Sequence, residues 1–187
     1  MPRKPRNWKP HTFYHVTARG NRRMEIFHYK KDREKYLELI GEVRTAYPFK
    51  LHAYCLMSNH IHLLLETGRD PLGTIIRVLH SRYAVFVNHR HKYEGHLFQG
   101  RFDAAEIADD YQFKETSRYI HMNPVKASLV YNPAEYLWSS YESYIRNHPN
   151  PYLTKEKHLA LFPKPFEKNY QRFVELKRPL QGGSATD

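Results

Sequence analysis

An α+β fold built on a four-stranded antiparallel sheet follows from three observations on this 187-residue chain. Strand-period alternation marks residues 12–19, 49–57, 60–66 and 103–108; helix-period apolar stripes lie between them; and the order is therefore strand, helix, strand, strand, helix, strand. That order is the ferredoxin-like arrangement, with two helices on one face of the sheet. A further helix after the fourth strand and a C-terminal helical extension complete the prediction. The expected layout is a basic N-terminal arm over 1–10, the sheet domain over 11–145, the extension over 146–180 and a disordered tail over 181–187.

Each element has a local cause. In the first strand Tyr14, Val16 and Ala18 alternate with His15, Thr17 and Arg19, and Gly20-Asn21 supplies the break. The turn Arg19-Gly20-Asn21-Arg22-Arg23 is a candidate phosphate clamp. Tyr36, Ile40, Val43 and Tyr47 form a helix stripe ended by Pro48. Residues 49–57 and 60–66 form a hairpin across the tight turn Ser58-Asn59. Pro71 opens a long helix in which Leu72, Ile75, Ile76, Leu79, Tyr83 and Phe86 face inward, and Arg77, His80, Arg82 and Arg90 make a basic outer face. Phe98-Gln99-Gly100-Arg101-Phe102 leads into the fourth strand, with rings beside a glycine and Arg101 as expected from close backbone approach and base stacking. Asp109 or Asp110 caps the next helix, which Pro124 is expected to stop. Trp138-Ser139-Ser140-Tyr141 starts a packing helix, and Phe166, Tyr170, Phe173 and Val174 make a last amphipathic stripe.

Composition narrows the partners. With 30 Lys+Arg against 19 Asp+Glu, a net charge of +11, and 15 Tyr and 10 Phe, the chain fits a phosphate backbone held by cations and bases stacked on rings. No basic amphipathic membrane helix stands out, and no apolar run approaches the roughly 18 residues a span requires. The single cysteine, Cys55, excludes an internal disulfide framework and fits a cytoplasmic protein.

The chemistry centres on His60-Ile61-His62. On a strand both imidazoles share one face while Ile61 takes the other, an arrangement equally open to metal chelation or to ordinary half-buried packing. A structural zinc site would want more soft ligands than Cys55 supplies. Some 60 residues later Tyr119 and Asn123 stand four apart on a predicted helix and so share a face. A tyrosine oxygen can cut a phosphodiester without water and keep the bond as a phosphotyrosine ester. A divalent cation on the phosphate assists that attack, and two imidazoles with an amide oxygen leave positions open for phosphate. Mg²⁺ or Mn²⁺ is the expected ion, Mn²⁺ being the better match to imidazole. Tyr111 on the same helix competes for the nucleophile role, but only Tyr119 has the amide four residues on.

These residues resemble the IS200/IS605-type single-tyrosine transposases, and more closely their REP-associated branch. The similarity rests on residues 17–23, 54–62, 98–102, Arg118-Tyr119-Ile120 with residues 123–127, and residues 138–141, in the family's order. The resemblance implies His60 and His62 as metal ligands, Tyr119 as nucleophile and Asn123 as the amide that helps with metal or phosphate. It also implies cleavage of single-stranded DNA near a hairpin, REP-like palindromes included, through a 5′-phosphotyrosine and a free 3′-OH. Arg19, Asn21, Arg22, Arg23, Arg77, Arg82 and Arg101 are the expected DNA contacts. His121 departs from the acidic residue common in relatives. Two alternatives stay open, a hairpin-binding protein that no longer cuts and a replication-initiator-like nickase, as does the choice between homodimer and monomer.

Overall fold

The computed structural model describes residues 8–146 and 148–176. Of the expected basic arm, Arg3, Lys4 and Arg6 lie outside the described residues, as do Lys177, Arg178 and the tail 181–187. The elements are β1 Phe13–Arg19, α1 Lys30–Ala46, β2 Phe49–Leu56, β3 His60–Thr67, α2 Leu72–His91, β4 Asp103–Ile107, α3 Asp110–Lys126, α4 Tyr141–Ile145, α5 Glu156–Leu161 and α6 Phe166–Glu175. The sheet order is β2-β3-β1-β4 with every pairing antiparallel, which is the ferredoxin-like topology.

Alternation sorts the strand side chains into two layers. Tyr14 and Val16 of β1 and Ile61, Leu63 and Leu65 of β3 face α1 and α2, where they meet Tyr36, Ile40, Ile75, Leu79 and Tyr83. Ala53, Cys55 and Leu64 face the opposite side and pack with Ile107 against Phe113 and Ile120 of α3. The extra helix thus covers the face that α1 and α2 leave bare. Cys55 is buried there, in the packing role its apolar strand predicts.

Two local features set the register. The β2–β3 ladder shifts between Leu51 and Ala53, so His52 is an added residue and Leu51 and Tyr54 reach the same core despite odd spacing. The hairpin turn is fixed from outside: Ile26 and Phe27 N–H donate to Ser58 O at 2.8 and 3.0 Å, and Gly20 N–H donates to Asn59 O at 2.8 Å. Gly20 is required by crowding, since a Cβ would meet Met24 O at 2.1 Å.

Three expectations are corrected. Pro124 does not stop α3 but sits in its last turn, two residues from the end. A proline costs only its own N–H bond there, and Ala127 N–H to Asn123 O and Leu129 N–H to Pro124 O close the end. Trp138-Ser139-Ser140 is not helical: Leu56 N–H donates to Trp138 O and Ser140 N–H to Tyr54 O, so the segment pairs along the free edge of β2 before α4 begins. His80 does not belong to an exposed basic face, because it stacks on Phe98 at 4.1 Å and bonds Tyr36 Oη at 3.2 Å. Gly100 has a φ of 66°, a left-handed backbone that favours glycine.

Burial keeps several imidazoles neutral, with a consequence for stability. Desolvation pushes His80 down to about 3, and it holds His158 well below the ordinary histidine value, His121 and His52 adding to the effect. The unfolded chain takes up protons at these sites below about pH 6.5 while the folded chain does not, so stability is full above that pH and falls as pH decreases. Each such histidine contributes a slope of up to about 1.4 kcal/mol per pH unit. Urea midpoints measured at pH 7.5, 6 and 5 should decline in that order.

Candidate active site on the open face of the sheet

His60 and His62 reach the face covered by α3 because Ile61 between them is fully buried in the opposite core. Their ring centroids are 5.1 Å apart. α3 brings Asn123 Oδ1 within 3.4 Å of His60 Nε2, while Asn59 Oδ1 lies 2.7 Å from His60 Nδ1. Both ring nitrogens therefore face amide oxygens, which only accept. With Nδ1–H donating to Asn59, a lone pair on Nε2 is left facing Asn123 Oδ1, a pair of donors that would suit a cation.

His62 is 6% exposed and uses Nδ1 toward His15 Nε2 at 3.0 Å. With Nδ1–H donating to His15, Nε2 is the nitrogen left for a metal. Desolvation pushes His62 down to about 3, with the neighbouring His15, His60, Arg19 and Lys126 adding to the effect, and desolvation also lowers His60 and His15. All three are thus held neutral at pH 7, with the Nε2 lone pairs of His60 and His62 uncommitted. Among the described residues no three His, Cys, Asp or Glu side chains group as a metal cluster, and the oxygen nearest the pair on α3 is the Asn123 amide, 3.4 Å from His60 Nε2. Two imidazole nitrogens and an amide oxygen are a mixed donor set that fits a divalent ion.

Tyr119 stands at the rim, 42% exposed, with its ring 5.5 Å from that of His62 and 5.7 Å from that of His15. Lys126, two turns along the same helix face, holds its ammonium 4.3 Å from the Tyr119 ring centroid. Desolvation, with Arg118 nearby, lowers the Lys126 value. Tyr119, Asn123, Lys126, the three histidines, Arg19 and Arg101 line one cavity of about 1180 Å³. Tyr111 is also exposed, but it lies in the first turn of α3 and does not line this cavity.

The expected DNA contacts separate. Arg19 and Arg101 line the histidine cavity. Asn21 and Arg22 line a neighbouring pocket, and Arg23 joins them in a short turn where Arg22 and Arg23 adopt positive φ. Arg77 lines a groove of about 770 Å³ on the α2 side of the sheet, with Trp8, Phe98 and Phe102. Arg101 borders both this groove and the histidine cavity. Arg82 is on the outer surface of α2, ion-paired to Glu42 at 3.3 Å. The spacing of motifs missed His15 and Lys126. His15 shares strand parity with Thr17 and Arg19, and only the pairing of Thr17 with His62 places it beside the metal face.

A ferredoxin-like sheet that presents paired histidines to a helix bearing an exposed tyrosine is the frame of a DNA-processing class. The family model described as "Transposase IS200 like" matches residues 9–123, from before β1 to Asn123. The chain belongs to the IS200-like transposase family and is a transposase. A protein of Haemophilus influenzae named as a REP-associated tyrosine transposase is 31% identical over 131 residues, covering 59% of this chain and 74% of that protein. A solved structure of a REP-associated tyrosine transposase bound to a REP hairpin shares the fold, with a TM-score of 0.70 at 17% identity over all of this chain and 98% of that one. Among the described residues no helix is long and apolar enough to cross a membrane.

Proposed function

We propose that this transposase cleaves single-stranded DNA beside a hairpin, with Tyr119 as nucleophile and with His60, His62 and Asn123 holding a Mg²⁺ or Mn²⁺ ion. The observation that carries the reading is the placement of an exposed tyrosine at the mouth of the cavity that holds both histidines and the amide. When bound, the ion withdraws charge from the scissile phosphate. The Tyr119 oxygen forms a bond to phosphorus, the bond to the 3′ oxygen breaks, and the phenolic proton ends on that oxygen. The 5′ phosphate stays on Tyr119 as an ester, so rejoining needs no added energy source. Lys126 holds its positive charge over the Tyr119 ring, where it favours negative charge developing on the phenol and the phosphate. His15 orients His62 by accepting from its Nδ1–H.

Hairpin DNA as partner is supported by the REP hairpin bound in the structural neighbour and by the +11 charge. Arg19 and Arg101 are the proposed phosphate contacts nearest the chemistry, with Asn21, Arg22 and Arg23 beside them and Arg77 and Arg82 on the α2 side. The groove bearing Arg77, Phe98 and Phe102 suits unpaired bases, which stack on aromatic rings. Phe98→Ala should weaken binding of a hairpin with a single-stranded flank by about 1–3 kcal/mol, and binding of the bare hairpin far less. Fluorescence anisotropy with both DNAs checks this.

The test of function is incubation with a hairpin carrying single-stranded flanks and Mn²⁺, followed by a denaturing gel. A covalent protein–DNA band is expected. Tight binding with no band across a library of hairpins would favour the non-cutting reading.

A further inference from the structure

A second set of side chains on α3 faces away from the cavity. Ser117 and His121 are four apart and lie roughly opposite Tyr119 and Asn123 around the helix, and both are fully buried. They join the C-terminal extension in a continuous polar chain. His158 of α5 bonds Ser117 Oγ at 2.8 Å, Ser117 bonds Tyr170 Oη of α6, Tyr170 Oη bonds His121 Nδ1 at 2.8 Å, and His121 Nε2 bonds Ser140 Oγ at 2.8 Å. Ser140 Oγ closes the chain on the Tyr54 main chain of β2, accepting from its N–H at 2.9 Å and donating to its carbonyl at 3.3 Å.

The proton order follows from which end is left over. His158 Nδ1 is buried without a partner among the described residues. An orphaned lone pair costs less than an orphaned N–H, so the proton of His158 is on Nε2 and donates to Ser117. Ser117 then donates to Tyr170, Tyr170 to His121 Nδ1, and His121 Nε2–H to Ser140. Every donor in this order meets one acceptor, and a chain so satisfied admits a single arrangement. The residue between Ser117 and Tyr119 adds a second tie: Arg118 Nε donates to Phe173 O and Val174 O at 3.1 Å, and its Nη2 donates to Leu176 O at 2.7 Å, closing the end of α6.

We infer that His121, Ser117 and Tyr170 are positioning residues, through which the C-terminal helices and the edge of β2 fix α3 so that Tyr119 and Asn123 stand at the histidine pair. The inference rests on the reading of Tyr119 as nucleophile. It assigns His121 the task of relaying a hydrogen-bond direction across the helix. It also assigns the extension a part in catalysis although none of its described residues lines the cavity.

The test compares four full-length variants. Tyr170→Phe keeps the ring but breaks the chain, and His121→Leu removes both its bonds. His121→Gln keeps an acceptor for Tyr170 and a donor for Ser140. Phe166→Leu loosens the same apolar cluster, where Phe166 stacks on the Tyr170 ring, without removing any hydrogen-bonding atom of the chain. Single-turnover adduct formation at saturating hairpin DNA should fall about 10–100-fold in Tyr170→Phe and His121→Leu, with the DNA dissociation constant within about twofold, and should recover in His121→Gln. Hydrogen exchange of α3 amides 117–123 should accelerate in the two broken variants and stay at the parental rate in Phe166→Leu. Parental α3 exchange in Tyr170→Phe, or a parental adduct rate in His121→Leu, overturns the inference. A parent chain that forms no adduct would instead remove the nucleophile reading, while the exchange comparison still decides whether the chain holds α3.

Discussion

Tyr119→Phe is expected to abolish covalent attachment to DNA, by more than about 10³-fold, while hairpin affinity stays within about twofold. The phenylalanine ring keeps the places beside His62, His15 and Lys126 that the tyrosine ring occupies, so cavity shape is retained. Only the oxygen that attacks phosphorus is removed. No other tyrosine lines the cavity, and Tyr111, the exposed alternative on α3, is two helical turns away. Tyr111→Phe should therefore form adduct at the parental rate. Gel quantification of adduct against time, with anisotropy for binding, checks both variants.

His60→Ala should lower the adduct rate about 10²–10³-fold at fixed Mn²⁺ and raise the Mn²⁺ concentration needed for half-maximal rate. Removing the imidazole leaves Asn123 Oδ1 and Asn59 Oδ1 without the ring that now lies between them, at 3.4 and 2.7 Å from its two nitrogens. His15→Ala acts one step back. It deletes the acceptor that orients His62, and a loss of about 10–100-fold in Mn²⁺ affinity is expected, partly recovered at high Mn²⁺. Because burial holds His60 and His62 below the ordinary histidine value, protons do not compete for the metal near neutrality. Mn²⁺ affinity should accordingly be flat between pH 8 and 7 and fall only in acid, as titration followed by electron paramagnetic resonance would show. Unchanged Mn²⁺ affinity in His60→Ala would remove the metal role of the pair.

Much of this site is written in local spacing. The period of two puts His60 and His62 on one strand face, and the spacing of four puts Tyr119 and Asn123 on one helix face; neither needs tertiary knowledge. The sheet order follows from the sequence of element types, since a ferredoxin-like unit has one antiparallel solution with helices on one side. What escaped depends on pairings between distant residues. His15 becomes a partner of His62 only through the β1–β3 register. Trp138-Ser139-Ser140 reads as a helix start because nothing local signals that the edge of β2 lacks a neighbour. His80 reads as exposed because Phe98, the ring that covers it, arrives from a loop after α2. Pro124 reads as a stop because the cost of proline near a helix end depends on which bond it removes.

The function of His121 was legible even less. In sequence it stands two residues from the proposed nucleophile; in the fold it points the other way, into a chain that reaches two helices of the extension. Helix α3 thus separates two tasks on opposite faces, chemistry toward the sheet histidines and attachment toward the C-terminal helices.

The central claim is that Tyr119 bonds to DNA, and the most direct measurement is the mass of the peptide that carries the nucleotide. Tryptic cleavage after Arg118 and Lys126 isolates residues 119–126, which contain one tyrosine, while Tyr111 falls in a separate peptide ending at Lys114. After reaction with a hairpin substrate and nuclease digestion, the account predicts a 5′-nucleotide mass on residues 119–126, or on the uncut peptide 115–126. A nucleotide found on the peptide bearing Tyr111, or on any other, would contradict it.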